Sequence, residues 1–439
     1  MSTKPPSGTR DFLPDDIRRR EYVIGVVRDV YERYGFEPLE TPAFENIETL
    51  LGKYGEEGNK LIFKILRRGE HASSGEADLA LRYDLTVPLA RVVAQYQNEL
   101  PRFFKRYQIQ PVWRADRPAR GRFREFYQCD IDALGTTSVL VEIEVLSAVA
   151  EVLGRLGFEH FDVRVNHREL LMGLLAAAGV PPPSRDAALV AIDKLDKIGL
   201  DGVRAELVSR GVPESAAAEC LALFKTHAPA ALRSRLQNDE RALYAIEQLE
   251  TIAALAAETA AGRHIRMDPS LARGLSYYTG TIMEIAVPDL PGSLGGGGRY
   301  DRLVGMFLGR EVPACGFSLG LERILVVMDE RNMFPPQIAR GSVDVMVTIW
   351  SHETRNQSIA AAQAFRDAGL RADVYPEADK LGKQFKYASA RRVPFVAILG
   401  DDERARGEVA LKDLRSGDQT SVRRDEAAAF VARALERRT

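Results

Sequence analysis

The chain has 439 residues, 45% of them apolar, and its 60 basic and 62 acidic side chains leave a net charge of −2. That length suggests about three domains, and the near balance of charge excludes a general positive field, so a nucleic-acid partner has to be met by local basic patches. Three separated cysteines, Cys129, Cys220 and Cys315, argue against a disulfide framework or a structural zinc, and with no long uncharged apolar stretch they point to a reducing cytoplasm rather than to secretion or a membrane.

From Ile17 to Tyr34 apolar residues recur at helical spacing through Val23, Val26, Val27, Val30 and Tyr31, and Gly35 stops the helix. Phe36 to Pro42 follows as an extended segment ending in proline. From Leu79 to Gly135 strand-like runs alternate with basic and Gly-containing turns, and Val139 to Leu156 has the pattern of an amphipathic helix. Between Arg168 and Ala261 the composition shifts to Ala, Leu and charged residues with few strand formers, a helical block. Strand-like segments return after Gly262, among them Gly280 to Val287, and lead to a helix beginning near Leu319. The Pro-containing stretch from Asn332 to Gly341 reads as a linker. Beyond it, Val343 to Trp350, Arg371 to Tyr375 and Pro394 to Leu399 are short β-rich runs separated by helical stretches, the rhythm of a small parallel or mixed sheet.

Lys105 to Asp132 reads as two strands flanking a basic loop. Between Arg102 and Arg124 there are eight basic side chains and one acid, Asp116, which suits a phosphate-rich ligand, although a solvated hairpin would share that composition. On the returning strand, period-two alternation puts Gln128, Asp130 and Asp132 on one face, which implies a polar cavity or water there. Asp84 and Thr86 either cap the helix that begins near Val87 or face a cationic ligand. Gly295-Gly-Gly-Gly-Arg-Tyr-Asp301 is no dinucleotide fingerprint, since Tyr300 stands where the last glycine is needed, and a Walker A sequence is absent. Lys380, Lys383, Lys386, Arg391 and Arg392, interleaved with Phe385 and Tyr387, form a second basic patch. It suits stacking and phosphate contacts with single-stranded RNA, or simply a solvated helix. The six histidines are scattered, with His71 in a polar loop, and suggest no metal-ligand set.

Leu271-Ala-Arg-Gly-Leu-Ser-Tyr-Tyr-Thr-Gly280 resembles the signature of the histidyl-tRNA synthetases, members of the class IIa aminoacyl-tRNA synthetases. The long first helix and its extended follower resemble class II motif 1, Lys105 to Asp132 motif 2, and Gly316-Phe-Ser-Leu-Gly-Leu-Glu-Arg323 motif 3, in the family's order. The resemblance implies an α+β fold: an antiparallel-sheet catalytic domain in two parts, residues 1–167 and 262–331, a helical insertion at 168–261, and an α/β anticodon-binding domain at 342–439. It implies ATP-dependent activation of L-histidine to histidyl-adenylate and transfer to the 3′ end of tRNA(His), by a cytoplasmic homodimer using ATP with Mg²⁺.

Residue by residue, the resemblance assigns Arg114 to the α-phosphate and substrate carboxylate, Arg273 to the α-phosphate from the opposite side, Arg122 to the outer phosphates, and Arg323 to the adenine and γ-phosphate. Arg120 and Arg124 would lie in the hairpin or meet the tRNA acceptor end. Asp84, Thr86 and Gln128 would hold the α-ammonium group. Asp132 would accept from the imidazole ring and Tyr278 would complete its other side, with Tyr277 and Tyr300 adjoining. The family usually reads Arg-Gly-Leu-Asp-Tyr-Tyr, so Ser276 replaces an acid that could orient Arg273. The alternative is an altered paralogue acting as the histidine-binding regulatory subunit of ATP phosphoribosyltransferase. Such proteins generally lack the last domain and lose phosphate-site arginines, both of which this chain retains.

Overall fold

The computed structural model describes residues 3–67, 75–273, 277–288, 290–339 and 341–436. It divides into two compact units, Met1–Met333 and Phe334–Thr439.

In the first unit the helix Pro14–Arg33 buries Val23, Ile24, Val27, Val30 and Tyr31 along one stripe. Its strands are β1 (Glu37–Pro38), β2 (Phe44–Asn46), β3 (Lys64–Leu66), β4 (Ala77–Leu81), β5 (Phe104–Trp113), β6 (Glu125–Leu134), β7 (Asp162–His167), β8 (Ile265–Met267), β9 (Thr281–Ala286), β10 (Ser293–Arg299) and β11 (Ala314–Gly320). Eight of them form one sheet in the order β1-β5-β6-β11-β10-β9-β7-β8, while β2, β4 and β3 make a small separate sheet. The large sheet is antiparallel except at its edges, where β1 runs parallel to β5 and β8 parallel to β7. The helix Leu140–Arg155 contributes Val145, Leu146, Val149, Val152 and Leu153 to the core.

The β5–β6 hairpin pairs Arg106 with Asp132, Gln108 with Asp130 and Gln110 with Gln128. Two strands of period-two alternation therefore superimpose their polar positions into one layer. Between β7 and β8 the chain leaves the sheet through the helices Arg168–Ala177, Arg185–Ile192, Leu195–Ser209, Glu214–Phe224, Pro229–Arg235 and Glu240–Ala256, and no strand occurs there among the described residues. It returns with Ile265 beside Val163. The glycine run after Leu294 is strand β10, paired on both sides, and not a turn.

The second unit is built on β12 (Val345–Val347), β13 (Ala372–Val374), β14 (Phe395–Ile398), β15 (Glu408–Asp413) and β16 (Gln419–Arg423), in the order β13-β12-β14-β15-β16. The first three are parallel and the last two antiparallel. Phe395 and Ala397 pack on one side with Phe365 and Val431, and Val396 and Ile398 on the other with Ala388, so β14 is buried on both faces. The β15–β16 hairpin was not expected from the sequence, because the charged ends of β15 and the exposed polar face of β16 mask the strand pattern.

Candidate active site

One open cleft of about 1300 Å³ in the first unit is lined by Asp84, Thr86, Arg114, Arg122, Gln128, Asp132, Arg273, Tyr277, Tyr278, Tyr300 and Arg323, which are all the site residues expected from the sequence. They arrive from the β5–β6 hairpin, the turn before the helix Thr86–Gln95, the segment before β9, the end of β10 and the start of the helix Leu321–Glu330.

At its deepest end, Arg106 has a fully buried side chain and lies 2.7 Å from Asp132 and 3.9 Å from Asp130. Asp132 also accepts from the hydroxyl of Tyr300 through Oδ1. Its side chain fits because residue 316, opposite it on β11, is glycine: a Cβ there would fall 1.9 Å from Asp132 Oδ1. Burial pushes both carboxylates up, opposed by the charge of Arg106, and Asp130 reaches about 7. Tyr277 stands edge-on to both Tyr278 and Tyr300, and burial raises all three phenols.

Next along the cleft, Asp84 Oδ1 accepts from Val87 N at 3.1 Å and from Tyr54 Oη at 3.0 Å. Asp84 therefore caps the helix and lines the cleft at once, so the two readings of this residue are compatible. Burial is the main influence on its carboxyl and raises it, while the Val87 amide and Arg114 pull the other way. Gln128 donates to Ser318 Oγ at 2.6 Å, and its Oε1 is buried without a hydrogen-bond partner among the described residues. That carbonyl oxygen is free to accept from an ammonium group.

The outer end is cationic. Arg114 donates through Nε to Tyr83 O at 3.1 Å, and its guanidinium lies 4.3 Å from the Tyr83 ring centre. Arg122 pairs through Nε with Asp116 at 3.0 Å, and Arg273 pairs through Nε with Glu284. Anchoring at Nε leaves the two terminal amino groups of the same plane for a bidentate anion. Arg323 donates to Ser293 O. Its acidity is increased first by burial and then by the neighbouring charges of Arg273, Arg122 and Arg114, with Glu284 opposing. On β10 the glycines make room for this end: a Cβ at Gly296 would lie 3.1 Å from Arg273 Nη1.

Ser276 and His71 lie outside the described residues. Arg120 pairs with Glu330, and Arg124 donates to Asp116 O and Ser7 O, tying the hairpin loop to the N-terminal segment. In the second unit, Lys383 and Arg391 are already matched by Asp379 and Asp373 on their own surface, and Phe385 packs into the core, leaving Tyr387 as the exposed aromatic of the pair. Sequence reasoning missed Arg106, Glu284, Arg164 and Tyr54. The signal for Arg106 was the alternation Arg106, Gln108, Gln110 facing Gln128, Asp130, Asp132. Glu284 had no comparable signal, since it is a lone acid in a short, mainly apolar strand. Glu284 is also 3.2 Å from Arg164, which is 2.7 Å from Asp268, so the partner of Arg273 is itself held.

Comparison with known proteins identifies the family. Residues 8–324 match the family model for histidyl-tRNA synthetase, and residues 344–434 match that for an anticodon binding domain. A histidine–tRNA ligase of Flavobacterium johnsoniae is 40% identical, over 96% of this chain and 98% of that protein. The crystal structure of a Nostoc histidyl-tRNA synthetase superimposes with a TM-score of 0.83 at 31% identity, covering 99% of this chain and all of that one. A Bacillus halodurans structure described as an ATP phosphoribosyltransferase regulatory subunit/histidyl-tRNA synthetase has a TM-score of 0.73 at 22% identity, covering 90% and 98% of the two chains, and at that identity shares the fold alone. The chain belongs to the histidyl-tRNA synthetase family.

Proposed function

We propose that this cleft activates histidine with ATP and passes the histidyl group to tRNA, with the buried end holding the amino acid and the cationic end the phosphates. The overall activity is that of an ATP-dependent aminoacyl-tRNA ligase. The observation that carries the division of labour is the cluster of Arg114, Arg122, Arg273 and Arg323, close enough for the other three to depress the basicity of Arg323. Four such cations around one cleft call for a polyanion.

In the first step an oxygen of the histidine carboxylate attacks the α-phosphorus of ATP and the bond to pyrophosphate breaks. Arg114 and Arg273, which both line the cleft, would bring their guanidinium groups to the charge growing on the α-phosphate without solvent reorganisation. Arg122 would take the outer phosphates, and Arg323, half-buried at the start of its helix, the adenine and γ-phosphate. Mg²⁺ would enter with ATP as part of that substrate. Asp84, Thr86 and Gln128 would receive the α-ammonium group. Asp132, backed by Tyr300 and Arg106, would accept from the ring, with Tyr277 and Tyr278 enclosing it. A pocket of this kind rejects side chains of similar size because its buried polar groups would go unpaired. In the second step the 3′ ribose hydroxyl attacks the activated carbonyl, AMP leaves, and a phosphate oxygen of the adenylate can take the hydroxyl proton.

The domain division proposed for this work is a catalytic body at 1–167 and 262–331, a helical insertion at 168–261 and an anticodon-reading unit at 342–439. A cytoplasmic homodimer belongs to the same proposal. Among the described residues no helix is long and apolar enough to cross a membrane. The test is amino-acid-dependent ATP–pyrophosphate exchange followed by tRNA charging. Exchange with histidine and no other amino acid supports the reading. Histidine binding without exchange would favour a regulatory paralogue.

A further inference from the structure

We propose that Arg164 is a positioning residue for histidine activation: it holds the carboxylates at either end of the segment that carries Arg273, and thereby keeps the phosphate-binding edge of Arg273 open. This rests on the reading of Arg273 as a ligand of the reacting phosphate. Arg164 lies on β7 directly opposite Glu284 on the neighbouring strand β9, so the sheet register itself brings the two side chains together. Its Nη1 donates to Glu284 Oε1 at 3.2 Å, and its Nε lies 2.7 Å from Asp268 Oδ2. Each carboxylate turns its other oxygen to the Arg273 segment. Asp268 Oδ1 accepts from the backbone N–H and the hydroxyl of Ser270, at 2.9 and 2.6 Å, and Glu284 Oε2 meets Nε of Arg273. A closed ring results, running from Arg164 through Asp268 and residues 268–273 to Arg273, and back through Glu284.

The ring bears on the chemistry through Glu284. Carboxylate and guanidinium favour two parallel hydrogen bonds, and a Glu284 that faced Arg273 alone could turn to take a terminal amino group as well as Nε. Those terminal groups are the donors an α-phosphate needs. With Oε1 committed to Arg164, Glu284 offers Arg273 a single oxygen, and the closest contact is at Nε. Asp268 and Glu284 keep only 9% and 5% of their side-chain surface, so little water is at hand to take the place of Arg164. A shift of the Arg273 guanidinium by about 1 Å is enough to cost about a hundredfold in rate. Arg164 also lines the cleft, so direct contact with substrate is the rival explanation that the test has to separate.

The test is a double-mutant cycle on the full-length protein, with wild type, Arg164→Ala, Arg273→Ala and the double variant read by histidine-dependent ATP–pyrophosphate exchange. Arg164→Ala should lower kcat about tenfold, with the KM values for histidine and ATP within about twofold of the wild type. In the Arg273→Ala background the same change should lower kcat by less than about twofold, because the group it positions is gone. An equal loss in both backgrounds would overturn the proposal, since a substrate contact or a general structural role acts whether or not Arg273 is present. A wild-type kcat, or a raised KM for ATP alone, would overturn it too. Arg164→Lys keeps the charge but has one ammonium for two carboxylates; it should show the same pattern with about a threefold loss, and it carries the cycle if the alanine variant does not fold. Wild-type exchange in Arg273→Ala alone would instead remove the reading of the cleft on which the proposal rests.

Discussion

At the deep end of the cleft Arg106 is wholly enclosed and its charge is spent on Asp132 and Asp130. At the outer end Arg122 and Arg273 keep 48% and 39% of their side-chain surface, and each is tethered by one edge. The same residue type thus does two jobs. An enclosed arginine fixes the shape and charge of a pocket and stays put, whereas a tethered one keeps donors in reserve for an anion that comes and goes. Burial decides between the two, because a guanidinium without water must have its partners within the protein.

Several substitutions would test this contrast. Arg106→Ala should have the largest effect, costing about 3–5 kcal/mol because it leaves two carboxylates buried without their cation. Chemical denaturation would measure it, and a loss below about 1 kcal/mol would mean that the pair is not enclosed in solution. Arg273→Ala should leave the fold intact and lower the exchange rate on the order of a hundred- to a thousandfold, with histidine affinity by calorimetry close to that of the wild type. Unchanged exchange kinetics would refute its place at the reacting phosphate.

Asp132→Ala should raise the KM for histidine more than the KM for ATP, by roughly ten- to a hundredfold, and equal effects on both would undo its assignment to the ring. Glu284→Gln, which weakens the tether of Arg273 without deleting it, should lower kcat about tenfold and leave both KM values near those of the wild type. A change in KM alone would make Glu284 a binding group instead.

The smallest effect is on stability against pH. The Asp130 carboxyl is raised to about 7 in the folded chain, so the folded state holds its proton where the unfolded chain has released it. The stability it contributes is full below about pH 4 and is lost as pH rises through about 7. Asp130→Asn should therefore gain on the wild type in denaturation midpoint from acid to neutral pH. A constant difference across that range would show that Asp130 titrates as an ordinary carboxylate.

Much of the cleft was legible in the chain itself. Helical spacing marked Pro14–Arg33, a basic loop between two alternating runs marked the β5–β6 hairpin, and motif residues named eleven of the side chains that line one cavity. The second basic patch was equally visible as composition, yet Lys383 and Arg391 are matched by Asp379 and Asp373 and Phe385 faces inward. Composition counts charges but says nothing about which are already paired.

What the sequence alone determined is therefore local: most of the helices and strands though not the β15–β16 hairpin, which faces are polar, and which residue types are available for phosphate, amine and ring. Those follow from periodicity and side-chain chemistry acting over a few residues. The tertiary structure decided the rest, because the sheet sets β6 beside β11, and β10 beside both β11 and β9. That order puts Gly316 opposite Asp132, Gly296 under Arg273 and Glu284 at the Arg273 guanidinium, joining segments far apart in the chain. Strand neighbours are chosen by how the whole core packs, and no local pattern carries that choice.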